Sequence, residues 1–163
     1  MNVMSGSGSV SGGTIRLYSG TGNSAEGGSV EIGSGASAST TSGDLSMSTA
    51  SSEGVSGAAS LATGQASAGD SGDIIVQTGE SSFGSGGDIG LSVGSGSGLS
   101  DRAGGNVNVS SGSSASGTGG NVNVMSGSGS VSGGTIRLYS GTGNSAEGGS
   151  VEIGSGASAS TTS

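Results

Sequence analysis

A glycine-led motif, Gly-x-apolar-x-apolar-x-(Ser/Thr)-Gly, returns at nearly constant spacing from one end of this chain to the other. Its first Gly stands at positions 13, 28, 43, 57, 72, 87, 105, 120, 134 and 149, at intervals of 15, 15, 14, 15, 15, 18, 15, 14 and 15 residues. A period this short constrains the fold strongly, because no strand, crossover helix and second strand fit within it. Counting that Gly as position 0, positions 2 and 4 carry an apolar pair in every repeat. The pairs are Ile15 and Leu17, Val30 and Ile32, Leu45 and Met47, Ala59 and Leu61, and Ile74 and Val76. They continue as Ile89 and Leu91, Val107 and Val109, Val122 and Val124, Ile136 and Leu138, and Val151 and Ile153.

Alternation of this kind is the two-residue period of a strand with one apolar face, not the 3.6-residue period of a helix. Glycine density argues further against helix, since each Gly costs about 1 kcal/mol relative to Ala in a helix interior. Position 6 continues the inward row as Ser19, Ser34, Thr49, Thr63, Thr78, Val93, Ser111 and Ser126. Gly20, Gly35, Gly64, Gly79, Gly94, Gly112 and Gly127 follow it, with Ala50 as the departure. These are the residues expected where a chain leaves a strand and turns.

The expectation is an all-β chain: a parallel β-solenoid, or single-stranded β-helix, of about ten turns of 14–15 residues with uncapped ends. Residues 1–163 form one solenoid, with a partial turn at 1–12 and turns beginning near each marker glycine. Stacked at the interstrand spacing, the apolar pairs form the core ladder, and the turns make a rod roughly 50 Å long. Smaller candidates such as Ala25, Ala38, Val55, Ala68, Phe83, Leu99, Ala115 and Val131 supply the opposite wall. The 18-residue interval is expected to be absorbed by a bulged turn around Leu99 to Ala103.

A longer repeat encloses the short one. Residues 2–42 recur without a change as residues 123–163, an offset of 121 that holds eight short repeats. Met1 stands where the matching position has Val122. Exact recurrence suggests a segment of a longer repetitive array, and open strand edges at its ends are templates for further strands.

Composition now bears on chemistry. Gly and Ser fill 82 of 163 positions, and His, Cys, Lys, Trp and Pro are absent. Without Cys there is no disulfide framework or thiolate site, and without His the commonest general base and metal ligand is missing. Serine is abundant, but no His or Lys stands ready to activate it. No enzyme activity and no cofactor is therefore expected. Three arginines, Arg16, Arg102 and Arg137, against eleven acids give a net charge of −8, which argues against nucleic-acid binding. No apolar run approaches the roughly 20 residues of a membrane-spanning helix, so no membrane insertion is expected.

In the solenoid register Asp73 falls over Asp88, a pair able to attract Ca²⁺, although a calcium site needs six to eight oxygens and a solvated pair is the favoured reading. Arg16 falls over Glu31 and Arg137 over Glu152, and Asn106 and Asn108 over Asn121 and Asn123. Asn108-Val109-Ser110 meets the glycosylation sequon, which matters only in a secreted chain.

The segments GGTIRLYSG, GGSVEIGSG, GGNVNVSSG and GGNVNVMSG resemble the Gly/Ser-rich β-solenoid repeats of large microbial or algal surface and extracellular fibres. The resemblance covers essentially the whole chain. It implies a structural protein whose partners are copies of itself, stacked head to tail and possible to bundle laterally, located outside the cell or at its surface. Ice binding is the alternative, since antifreeze solenoids also use turns near 15 residues. The outward triplets Thr14-Arg16-Tyr18, Ser29-Glu31-Gly33 and Asp44-Ser46-Ser48 are, however, irregular and charged. An adhesin stalk and a disordered Gly/Ser linker complete the alternatives.

Overall fold

The computed structural model describes residues 2–97 and 103–156. The chain divides into two units, Met1–Gln77 and Thr78–Ser163. In both, the sequence period appears as an alternation of unbent segments and bends. Bends fall at 9–10, 23–25, 38–40, 53–54 and 67–69 in the first unit, and at 82–84, 115–117, 130–131 and 144–146 in the second.

The solenoid expectation is overturned. Among the described residues there is neither strand nor helix, so the chain is not an all-β solenoid or β-helix. No described residue is buried. The ladder side chains lie open, the least exposed being Ile136 at 45%. Candidates for the opposite wall are barer still, with Val55 at 96%, Val131 at 98% and Phe83 fully exposed.

The physical reason lies in how the backbone is satisfied at six of the ten necks between repeats. A solenoid pairs a residue with its counterpart 14 or 15 positions on. Here the pairing is made across a loop of about half that length. Gly13, Gly28 and Gly43 donate their N–H to the carbonyls of Gly6, Gly20 and Gly35, at 2.8–2.9 Å. Gly120, Gly134 and Gly149 donate likewise to Gly112, Gly127 and Gly141. Halving a loop saves only about 0.6 kcal/mol of closure entropy. Yet local closure fixes few residues, whereas stacking a turn orders all 14 or 15 at roughly 1–2 kcal/mol each. Two aliphatic side chains per repeat, set among glycines that lose the most freedom on ordering, give little to offset that cost.

Leu99 to Arg102, the heart of the expected bulged turn, lie outside the described residues.

Candidate functional site

The recurring geometry of this chain is a neck and a bend, and both trace to single columns of the repeat. At the neck, position 6 of one repeat meets the marker glycine that opens the next. A Cβ built on Gly28 would lie 3.1 Å from the Ser19 Cβ, and one on Gly13 would lie 3.0 Å from the Ser5 Cβ. The same approach recurs at Gly120 against Ser111 and at Gly134 against Ser126, both at 3.3 Å. At these necks a residue larger than glycine would need its neighbour to give by a few tenths of an ångström, which gives the marker glycine a steric reason there. At one neck the Ser19 hydroxyl also donates to the Gly28 carbonyl at 2.7 Å.

Position 6 divides the necks into two kinds. Ser5, Ser19, Ser34, Ser111, Ser126 and Ser140 occupy it wherever the backbone bond forms. Thr49, Thr63, Thr78 and Val93 occupy it at Gly57, Gly72, Gly87 and Gly105, where no such bond is made. At those necks the atom nearest to the glycine's missing Cβ is a branch methyl: Thr63 Cγ2 at 3.9 Å, Thr78 Cγ2 at 3.6 Å and Val93 Cγ1 at 2.6 Å.

The bend depends on position 9, a column that sequence reasoning did not single out. At Ser37, Ser52, Ser81 and Ser114, the described residues where it is Ser, the hydroxyl accepts backbone N–H groups from two or three residues on. Gly54 donates to Ser52, Gly84 to Ser81 and Gly117 to Ser114, at 3.2, 3.0 and 2.9 Å. Ser37 accepts from Thr40 at 3.0 Å and shares a hydroxyl bond with Thr40 Oγ1 at 2.9 Å. These are hydroxyl-capped turns. At Gly8, Gly22, Gly129 and Gly143, where position 9 is Gly, the chain folds its own carbonyls into the space of the missing side chain. A Cβ on Gly8 would overlap the Ser11 carbonyl, one on Gly22 those of Ala25 and Glu26, and one on Gly129 that of Ser132. Gly143 repeats the arrangement against Ala146 and Glu147. The signal was available in the sequence: aligned on the marker glycine, this column holds only Gly, Ser and, once, Ala66.

The other sequence-derived sites are not gathered by this arrangement. No stacked register places Asp73 over Asp88, and among the described residues no three His, Cys, Asp or Glu side chains come together as a metal cluster. Asn108 and Ser110 of the sequon are both exposed. The turn glycines Gly20, Gly35, Gly112 and Gly127 sit at necks as carbonyl acceptors. None of them takes a φ in the left-handed region. The described residues enclose no cavity, and among them there is no helix long and apolar enough to cross a membrane.

No family model, curated protein or solved structure matches this chain.

Proposed function

We propose that this chain is a structural segment that associates with copies of itself, as part of an extracellular or cell-surface fibre. What carries the reading is an evenly spaced series of apolar pairs that stay exposed throughout, from Val3 to Ile153. Apolar surface that a chain does not bury against itself is available to another chain. The exact recurrence of residues 2–42 as 123–163 favours a homotypic partner, because any surface one block offers is offered again 121 residues later. Two copies on one chain also raise the effective concentration for a second contact.

The absence of buried residues among those described favours a second reading, a Gly/Ser-rich spacer that separates other parts of a protein without associating. Sedimentation velocity across a hundredfold range of concentration separates the two. Self-association gives species that grow with concentration, and substituting Ile15, Val30, Ile136 and Val151 by Asn reduces that growth. A sedimentation coefficient constant over the whole range, unaltered by the substitutions, would leave the spacer reading standing. Thermal hysteresis in the same samples would instead favour ice binding.

A further inference from the structure

We propose that the side chain at position 6 is a latch coded by branching at Cβ. Serine lets the neck shut, and Thr or Val holds it open, so the chain carries a built-in compliant stretch between closed ones.

The observation is a division without exception among the described necks. All six with Ser at position 6 make the glycine-to-glycine bond, and the four with Thr or Val lack it, the Val93 neck spanning a longer step from Gly94 to Gly105 that passes through residues outside those described. One other column, position 3, divides the necks along the same line, with Asn2, Arg16, Glu31, Asn108, Asn123 and Arg137 at closed necks and Ser46, Ser60, Ile75 and Gly90 at open ones, but it stands three residues short of the neck, and the features nearer the neck do not sort them. Loop length fails, because the seven-residue step from Gly6 to Gly13 closes while the equal step from Ala50 to Gly57 does not. An acceptor glycine at position 7 is insufficient, since Gly64, Gly79 and Gly94 are present at open necks. A second glycine before the marker is irrelevant, because Ser42-Gly43 closes and Gly86-Gly87 does not. The kind of bend is equally indifferent: Ser37 and Ser114 cap bends above closed necks, Ser52 and Ser81 above open ones.

Sterics explain the split. Closure brings the marker glycine to within 3.0–3.5 Å of a serine Cβ, measured from the Cβ the glycine lacks. A branched residue has two heavy atoms on Cβ and a stiff χ1, so it cannot turn both away from the facing segment. One methyl then stands over the glycine and keeps its N–H from the carbonyl. The open necks are consecutive, from Thr49 to Gly105, and closed necks stand on both sides. Pulling such a chain straightens the middle repeats before the others, because only the outer loops must break a backbone bond. This inference is independent of self-association and concerns the single chain.

The test reads glycine amides by NMR in dilute solution, at low temperature and mildly acidic pH. Gly43 and Gly72 are suitable because their sequence surroundings occur once in the chain. In the unaltered chain the Gly43 amide exchanges with solvent about 2- to 10-fold more slowly than a matched unstructured peptide, the range set by one exposed hydrogen bond. Gly72 exchanges at the peptide rate. Ser34→Val brings Gly43 to the peptide rate, Ser34→Ala leaves its protection in place, and Thr63→Ser gives Gly72 the protection that Gly43 had. Retained protection in Ser34→Val would overturn the latch, as would no gain in Thr63→Ser. Loss in Ser34→Ala equal to that in Ser34→Val would overturn it too, by assigning closure to the hydroxyl.

Discussion

Gly22 and Ser81 stand at the same position of their repeats and make a bend by opposite means. At Gly22 the missing side chain is the point, since the carbonyls of Ala25 and Glu26 fill its place. At Ser81 the side chain supplies the acceptor for the Gly84 N–H. Gly22→Ala should therefore open its bend and shift the amide resonances of Ala25 to Gly27. The identical block around Gly143 keeps the original resonances, an internal reference in the same spectrum. Unmoved resonances in the variant would show that the carbonyls do not occupy that space. Ser81→Ala should raise the exchange rate of the Gly84 amide by about 2- to 10-fold, the worth of one exposed bond. The Gly117 amide, held by Ser114, should not change.

At the scale of one repeat, neck and bend are local, closing over seven or eight residues. The two copies of the 41-residue block show this directly. Bends at 9–10 and 23–25 recur at 130–131 and 144–146, and the Gly13 and Gly28 bonds recur at Gly134 and Gly149. A synthetic peptide of residues 2–42 should reproduce the amide and Cα shifts of that block in the full chain. Systematic differences over Ile15 to Ser19 and Val30 to Ser34 would show that the segments depend on neighbours the peptide lacks. Much of this element was legible in the sequence. The marker glycine, the apolar pair and the glycine after position 6 were all visible as columns, although the bends themselves fall three to five residues beyond that glycine. The partner of each marker glycine was not legible. Its N–H can bond a carbonyl 7 residues back or one 15 back, and alternation of side chains is the same in both cases. Choosing between them turns on the ordering cost of a whole turn against a single loop. A count of apolar pairs does not contain that difference.

For the whole molecule, the decisive facts are an open apolar row and a net charge of −8. With no buried core among the described residues, the dilute chain should show no cooperative heat-absorption peak in calorimetry, because the enthalpy and heat capacity of unfolding come from surface newly exposed. Like charge on every copy opposes association, and salt screens it over about 10 Å at 0.1 M. Association should therefore strengthen with ionic strength, and also as pH falls toward the isoelectric point near 4.1. Light scattering that falls with added salt would mean that attraction between charges, not the apolar rows, joins the copies.

The central claim is that order in the single chain is confined to necks and bends, and amide exchange along the whole dilute chain tests it most directly. The account predicts slow exchange at Gly13, Gly28, Gly43, Gly120, Gly134 and Gly149, at the hydroxyl-capped amides of Thr40, Gly54, Gly84 and Gly117, and little elsewhere. Continuous protection through 14–18, 29–33 and each matching segment would mean paired strands, and would contradict it.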